Sequence, residues 1–392
     1  MKSYTDYLPW GSLTGIRPSK VAEKLLISGY SEESVIDTLE QKYFVLPDRA
    51  ALCVETALAA LELKKTLAPR DVALYIGIPF CPTRCAYCSF VSNSVERSFG
   101  MIDPFIDTLM AEIDTMSELA RELGLRIISV YMGGGTPTAL SEQALENIMS
   151  SLPQAFDFSS LREYTVEAGR PDTITAKKIE IMTRYGAKRI CVNPQTMSAD
   201  VLSTIGRNHS PEDVYNAVKL VRECKAALNM DIIAGLPSDT FESFKETLDT
   251  VLDFKPENIT VHTLSLKKGS KIMLEGTAIP GSIQVGEMLD YSSMRLREFG
   301  YKPYYVYRQK YISGGFENTG WSMPGYEGIY NICMMDELCT VLALGGGGVT
   351  KLVTKDGRIE RVFNAKYPRE YIMMTEKMKE KVGRIRENAV SI

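Results

Sequence analysis

The sequence has 392 residues, of which 45% are hydrophobic and 24% are charged, as is ordinary for a globular protein. Its formal net charge of −4 argues against a general nucleic-acid binder, which would usually carry a basic excess. The first residues lack the apolar core of a signal peptide, and no apolar run reaches the about 20 residues of a membrane helix. We therefore expect a cytoplasmic protein with no nucleic-acid partner and no membrane span, built as one large domain with an appendage or as two medium domains.

The first part of the chain, residues 1–68, is predicted to form a helical segment. Pro18 stands where a first helical turn can begin, and apolar residues follow it at helical spacing. Ser31 has the character of an N-cap for a second helix, and the Ala- and Leu-rich stretch 50–67 predicts a third. We interpret this segment as a helical cap in front of the main domain.

Residues 69–270 alternate short apolar runs with amphipathic stretches. The apolar runs predict strands at 72–78, 127–132, 162–168, 188–193, 229–234 and 258–266. The amphipathic stretches predict helices at 103–124, 141–152, 173–185, 212–227 and 239–254. This alternation indicates an α/β fold of parallel βα units, either a closed or partial barrel or an open doubly wound sheet. In a barrel, the active site would lie at the carboxyl ends of the strands.

The pattern changes in residues 271–392, which we expect to form an α+β extension that covers the active site. The run Gly345–Gly348 exposes its backbone, and residues 351–362 predict a hairpin around Asp356-Gly357. Residues 369–386 predict a final charged helix.

Three cysteines follow the first predicted strand with the spacing C-x3-C-x2-C: Cys81, Cys85 and Cys88. Thiolates are soft ligands, and three of them can hold three irons of a [4Fe–4S] cluster, which leaves the fourth iron open to a substrate or cofactor. The alternative is a structural zinc site, which needs a fourth ligand and usually a second cysteine or histidine pair. No second C-x2-C pair is present, and His209 and His262 are distant in sequence.

This cysteine motif after a strand resembles the signature of radical S-adenosylmethionine (SAM) enzymes. The longer string Tyr75-Ile-Gly-Ile-Pro-Phe-Cys81, followed by Cys85-Ala-Tyr87-Cys88, resembles the oxygen-independent coproporphyrinogen III oxidase family. Further similar strings, Val-Glu-Ala-Gly-Arg-Pro-Asp-Thr, Asn-Pro-Gln-Thr-Met and Tyr-Arg-Gln-Lys, point to its HemZ-type branch. Members of that branch often carry a further N-terminal segment, and a shortened form is one interpretation of this chain. The resemblance implies the partial (β/α)6 barrel of radical SAM proteins.

The resemblance also implies two cofactors, a [4Fe–4S] cluster on the three cysteines and SAM beside it. A glycine triplet followed by Thr-Pro lies against the SAM amino group in the family, and glycines leave the backbone open to such an approach. Acidic, amide and arginine side chains at later strand ends suit the SAM carboxylate, ribose and sulfonium groups. The implied cofactor contacts are Tyr75, Tyr87, Gly134, Gly135, Thr136, Glu167, Gln195, Arg207 and Asp231.

The reaction implied by the resemblance is the oxygen-independent oxidative decarboxylation of two propionates of coproporphyrinogen III, which gives protoporphyrinogen IX in haem biosynthesis. The reduced cluster cleaves SAM, and the 5′-deoxyadenosyl radical abstracts a β-hydrogen from a propionate. The expected partners are a tetrapyrrole substrate and an electron donor such as flavodoxin or ferredoxin.

The sequence assigns no catalytic side chain. His209 is a candidate proton donor or a structural residue, and the role of His262 stays open. The four propionates of coproporphyrinogen need cationic partners on the protein. The candidates for that role are Arg97, Lys267, Lys268, Arg308 and Lys310.

Two related functions remain as alternatives. Phe90 stands where the main oxidase branch has a further cysteine, and the haem chaperones of the family share this phenylalanine. Those chaperones carry a His-Asn-x-x-Tyr-Trp haem-binding motif, however, and this chain has Tyr330-Asn-Ile-Cys-Met-Met335 in its place. The alternatives are therefore a haem carrier, or a radical SAM enzyme acting on another tetrapyrrole, for example a haem-opening methyltransferase.

Overall fold

The computed structural model describes residues 8–88, 93–267, 269–354 and 357–389. In this part of the chain, no helix is both long enough and apolar enough to cross a membrane. Phe90, Lys268 and Asp356 lie outside the described residues, and so does the side chain of Arg97.

Three helices open the described chain, as predicted: α1 (Ser19–Ile27), α2 (Glu32–Tyr43) and α3 (Pro47–Lys65). The Ser31 hydroxyl caps α2 by accepting a hydrogen bond from the Ser34 amide at 3.2 Å, which satisfies one of the free amides of the first turn. The third helix packs along strand β9 (Lys302–Tyr307), so the helical segment contacts the C-terminal extension.

The six predicted strands and the five predicted helices between them occur in the predicted order, and the structure adds further elements among and after them. The other strands are β1 (Asp71–Ile78), β2 (Phe80–Cys81), β3 (Asn93–Ser94), β4 (Arg126–Gly134), β5 (Glu163–Val166), β6 (Arg189–Cys191), β7 (Ala227–Ala234), β8 (Asn258–Thr263), β10 (Asn318–Ser322), β11 (Thr340–Gly345), β12 (Val349–Val353) and β13 (Ile359–Phe363). The other helices are α4 (Val95–Glu122), α5 (Glu142–Ala155), α6 (Ala176–Arg184), α7 (Ala199–Thr204), α8 (Pro211–Glu223), α9 (Phe241–Asp253), α10 (Lys271–Glu275), α11 (Ser282–Glu298), α12 (Ile329–Asp336), α13 (Pro368–Ile372) and α14 (Thr375–Ala389). The predicted final helix is therefore divided into α13 and α14.

One open sheet organises the protein, with the strand order β13-β12-β11-β1-β4-β5-β6-β7-β8-β10-β9. Strands β1, β4, β5, β6, β7 and β8 are parallel neighbours in the order of the sequence. A doubly wound sheet would reverse its strand order at a switch point. No reversal occurs among these six strands, so the partial barrel is confirmed over the doubly wound alternative.

The C-terminal extension continues the same sheet on both sides. Strand β11 pairs in parallel with β1, and the hairpin of β12 and β13 extends the sheet beyond it. This hairpin confirms the one predicted at residues 351–362. On the opposite side, β10 pairs antiparallel with β8, and β9 forms the edge.

Side chains alternate between the two faces of the curved sheet, because successive residues of a strand point to opposite sides. In β1, Leu74 and Ile76 are buried in the apolar layer against the helices, whereas Tyr75 lines a cavity on the other face. In β8, Val261 belongs to the apolar layer and His262 to the cavity. The concave face is therefore polar and aromatic, and it leaves room for ligands.

A buried ion pair fastens the end of the chain to the sheet. The Lys381 ammonium group donates to Glu112 Oε1 at 2.7 Å and to Asn364 Oδ1 at 2.9 Å, and it also contacts the Ala343 carbonyl. The Gly345 amide donates to Glu112 Oε2 at 2.8 Å. Both charged side chains are at most 2% exposed. The pair therefore holds helices α4 and α14 to the strand that precedes the glycine run.

We predict that Lys381→Met lowers the free energy of unfolding by about 3–5 kcal/mol, because it leaves the Glu112 carboxylate buried without its cation. Arg386→Met is the matched control, since it removes an exposed ion pair to Glu122 from the same helix. Urea denaturation of both variants measures the difference. A Lys381→Met protein as stable as the Arg386→Met protein would contradict the structural role of the buried pair.

Candidate active site

The carboxyl ends of the parallel strands surround a solvent-open cavity of about 560 Å³. Ligand pockets in proteins commonly measure about 300–1,000 Å³, so this cavity has the size of a ligand-binding site. The structure brings all the cluster and cofactor residues predicted from the sequence to its walls. They are Tyr75, Cys81, Cys85, Tyr87, Cys88, Gly134, Gly135, Thr136, Glu167, Gln195, Arg207 and Asp231.

The cysteine loop and the glycine loop are bonded to each other directly. The Gly135 amide donates to the Ile78 carbonyl at 2.7 Å, and the Thr136 amide donates to the Phe80 carbonyl at 2.7 Å. A Cβ atom on Gly135 would lie 2.4 Å from the Phe80 carbonyl oxygen, so this close approach requires glycine. The Thr136 hydroxyl also lies 3.5 Å from Cys81 Sγ.

Two arginines create a positive environment around Cys85. Burial raises the pKa of the Cys85 thiol, but the nearby guanidinium groups of Arg207 and Arg170 outweigh burial and lower its pKa below the ordinary value. Arg170 Nη1 lies 3.9 Å from Cys85 Sγ. Since the thiolate is the form that binds metals, this environment favours a metal ligand at Cys85.

The donor set suits a cluster better than a single ion. The three thiols on the loop, Cys81, Cys85 and Cys88, are free of disulfides. Within the described ranges, no three histidine, cysteine or acidic side chains form a site for one metal ion. An iron–sulfur cluster makes a different demand, because each thiolate binds its own iron and the sulfur atoms need not meet at one point.

Arg207 is almost fully buried and is mainly bound to the backbone. Its Nη1 atom donates to the Asn193 carbonyl, and its Nη2 atom donates to the Gly169 carbonyl at 3.3 Å. The Nε atom has no hydrogen-bond partner within the described residues. Arg207 therefore holds two strand-end loops together and places its charge beside Cys85.

An acidic group forms the floor of the cavity. The Tyr131 hydroxyl donates to Glu167 Oε1, and the Asn193 amide donates to Glu167 Oε2 at 2.8 Å. Burial and the neighbouring carboxylate of Asp231 raise the pKa of Glu167 to about 7. The sequence analysis did not predict Tyr131 and Asn193 as site residues. Their positions near the ends of predicted strands could have indicated them.

Gln195 has an unusual backbone conformation beside this floor. Its φ angle is +67°, in the left-handed region that non-glycine residues rarely adopt. Its amide donates to the Asp231 carbonyl at 2.9 Å, and its Oε1 atom is buried without a partner among the described residues. Buried polar atoms are normally hydrogen-bonded, so this oxygen is suited to a ligand donor.

Three stacked tyrosines form one wall of the cavity. The ring centroids of Tyr131 and Tyr330 are 4.4 Å apart, and those of Tyr75 and Tyr330 are 6.0 Å apart, with nearly parallel planes. Only Tyr75 was among the predicted site residues. Tyr330 comes from α12, far along the chain, so local sequence gave no signal for its place in this wall.

Not all of the basic side chains that were expected to bind the substrate line the cavity. Lys267 lines the cavity. Arg308 does not, because its guanidinium group donates to the carbonyls of Leu13 and Gly315 in the N-terminal and β9–β10 regions. Lys310 is exposed outside the cavity. Those two expectations were therefore wrong, while Lys268 and the Arg97 side chain lie outside the described residues.

The two histidines have different surroundings. His209 is buried, and burial together with the charges of Arg207 and Arg170 lowers its pKa to about 4. It does not line the cavity, which favours the structural interpretation over a proton donor. His262 does line the cavity.

The comparisons with known proteins first identify the superfamily to which the fold corresponds. The model of the radical SAM superfamily matches residues 75–251, which include the cysteine motif and most of the parallel strands. The solved structure of coproporphyrinogen III oxidase (HemN) from Escherichia coli, described as a radical SAM enzyme, is similar with a TM-score of 0.63. The match covers 82% of this chain and 72% of that one at 20% identity, so it shows the fold alone.

The particular family follows from the curated relatives. The chain is 38% identical over 371 residues to the oxygen-independent coproporphyrinogen-III oxidase-like protein HemZ of Bacillus subtilis, covering 92% of this chain and 74% of the relative. Similarity to the haem chaperone HemW is lower: 24% in Escherichia coli, over 77% of this chain and 75% of that one, and 29% in Bacillus subtilis, over 65% and 68%. The chain belongs to the family of oxygen-independent coproporphyrinogen-III oxidase-like radical SAM enzymes. This membership implies a [4Fe–4S] cluster and SAM as cofactors.

We predict that Gly135→Ala disrupts the contact between the glycine and cysteine loops, since the new Cβ would meet the Phe80 and Ile78 carbonyl oxygens. Iron and sulfide analysis after anaerobic reconstitution should show a loss of bound cluster. Gly15→Ala is the control, because nothing lies within 4 Å of the added atom. Equal cluster content in the two variants would contradict the prediction.

Proposed function

We propose that this protein carries out the oxygen-independent oxidative decarboxylation of coproporphyrinogen III to protoporphyrinogen IX. One observation carries the proposal: the three cysteines, the predicted SAM contacts and a wall of tyrosine rings line one large cavity. Such a cavity suits a cofactor and a flat macrocycle side by side. The name of the 38% identical relative supports the same substrate class.

We assign the cluster to Cys81, Cys85 and Cys88, supported by the environment that favours the thiolate of Cys85. SAM would lie on the glycine loop, with Glu167, Asp231 and the unpartnered Gln195 oxygen around it. When bound, the two cofactors supply the 5′-deoxyadenosyl radical that removes a hydrogen atom from the substrate. An electron donor such as flavodoxin or ferredoxin would reduce the cluster.

The residues of the chain position the reactants. The glycine loop offers open backbone at strand β4, and the acidic floor offers negative charge to the cationic groups of SAM. The stacked tyrosines give the cavity an aromatic lining against which a macrocycle can pack. Positioning of this kind is the main contribution of a protein to cofactor chemistry.

Tyr330 favours the enzyme over the haem-carrier alternative. It stands at the place of the histidine in the chaperone motif, and its ring is stacked against Tyr131 rather than presenting an imidazole. The lower identity to the HemW chaperones supports the same choice.

The decisive assay is an anaerobic reaction of the reconstituted protein with SAM, a reductant and coproporphyrinogen III, analysed by mass spectrometry. We expect loss of two carboxyl groups, and no such product from Cys85→Ser. Cys224→Ser is the matched control, because this partly buried cysteine lies on α8 outside the cavity. SAM cleavage without change in the porphyrinogen would disprove the substrate, and haem binding without SAM cleavage would favour a carrier.

The affinity for SAM should rise as the pH increases from about 6 to about 8. Glu167, whose pKa is raised to about 7, is mostly protonated below that pH and becomes an anion above it, and the anion attracts the cationic groups of SAM. Equilibrium dialysis at several pH values measures the effect. Glu167→Gln is the control, because glutamine does not titrate in this pH range whereas the amino group of SAM still does. The same pH dependence in both proteins would contradict this role of Glu167.

A further inference from the structure

Four basic side chains of the described chain line the cavity: Arg170, Arg207, His262 and Lys267. The two arginines are engaged on the cysteine side. The Arg170 side chain is 3% exposed and pairs with Asp172 at 3.1 Å, and Arg207 donates to backbone carbonyls. His262, near the end of β8, and Lys267, in the loop that follows it, remain as the other basic groups of the lining.

His262 is placed on the inward face of β8, and 27% of its side chain is exposed to the cavity. Its Nε2 atom lies 3.6 Å from Asp231 Oδ2, which is an ion-pair distance but longer than a hydrogen bond. Burial lowers the pKa of His262, but Asp231 and Asn318 outweigh burial and raise it above the ordinary value. A histidine that is paired with Asp231 therefore faces the cavity at this position.

Lys267 follows β8 by four residues in the loop that leads to α10. Partial burial lowers the pKa of its ammonium group, and no carboxylate among the described residues pairs with it. A partly buried ammonium group without a protein partner is stabilised when a ligand anion binds beside it. The loop thus brings an ammonium group to the cavity that His262 also lines.

We propose that His262 and Lys267 form a carboxylate-binding subsite that holds a propionate of the tetrapyrrole. This inference rests on the proposed function and deepens it, because it names the residues that recognise the substrate. The two groups are the donors expected for a carboxylate, a histidine and a lysine with charge-assisted hydrogen bonds. With the ring faces of Tyr75, Tyr131 and Tyr330 in the same cavity, the site matches a large apolar ring that carries anionic arms.

The carboxylate of SAM has the same chemistry, so the two sources must be distinguished. The glycine loop, Gln195 and Arg207 are on the side of β4 to β6, near the cysteines. His262 lies on β8 beside Asp231, and the loop that carries Lys267 leads to Ile272, whose amide donates to the Ala86 carbonyl of the cysteine loop. Position alone therefore does not separate the two sources, and the SAM titration in the test does.

The test uses the full-length protein reconstituted with its cluster, and coproporphyrin III as a probe that is not turned over. Fluorescence titration gives its Kd for wild type, His262→Gln and Lys267→Met, and equilibrium dialysis gives the Kd for SAM. We expect each substitution to weaken coproporphyrin binding by about tenfold, since each removes a charged hydrogen bond. SAM affinity should stay unchanged in Lys267→Met, whereas His262→Gln also removes the partner of Asp231, a predicted SAM contact, and is therefore compared on coproporphyrin alone. Lys310→Met is the matched control, an exposed lysine outside the cavity, and should bind both ligands normally.

The tetramethyl ester of coproporphyrin III supplies a further control, because it retains the macrocycle without its charges. Its affinity should be the same in wild type and both variants, which a general disturbance of the cavity would not allow. Normal coproporphyrin binding in both variants, or weaker binding of SAM alone, would overturn the subsite. If the wild type still turns over coproporphyrinogen in that case, only the subsite is wrong. A wild type that neither binds nor converts the tetrapyrrole would overturn both proposals.

Discussion

The active site depends on the register of β1 against β4. Gly77 pairs with Gly133 and Ile78 with Gly134, so the cysteine loop and the glycine loop leave the sheet at the same level. The backbone hydrogen bonds from Gly135 and Thr136 then join the two loops directly. Sliding one strand by a single residue would turn every side chain to the other face and separate the loops. The cofactor residues are close together because this one pairing is fixed.

This arrangement groups the charged residues of the cavity into separate sets. Arginines surround Cys85, carboxylates form the floor, and His262 and Lys267 line the cavity near the end of β8 and in the loop after it. Each group meets a different requirement: thiolate ligands, a cationic cofactor and an anionic substrate. A partial barrel with a polar concave face can hold all three, whereas a closed barrel filled by branched aliphatic side chains has no such room.

Local sequence motifs were enough to predict the six parallel strands and the cysteine and cofactor residues that the cavity brings together. Glycine runs, cysteine spacing and apolar runs are contained within short stretches, so they can be recognised without knowing the tertiary contacts. The pairing of β11 with β1 was not predicted, because it joins residues that are more than 260 positions apart in the sequence. Tyr330 was missed for the same reason. Arg308 was placed wrongly because its partners, Leu13 and Gly315, are set by the packing of the N-terminal segment.

The central claim is that the cavity brings SAM and a propionate of the tetrapyrrole into reacting distance. The most direct measurement is an anaerobic turnover of coproporphyrinogen III that carries deuterium on the β-carbons of its propionates, with analysis of the 5′-deoxyadenosine formed. This account predicts deuterium in the 5′-deoxyadenosine together with loss of carboxyl groups from the tetrapyrrole. Unlabelled 5′-deoxyadenosine beside an unchanged tetrapyrrole would contradict it.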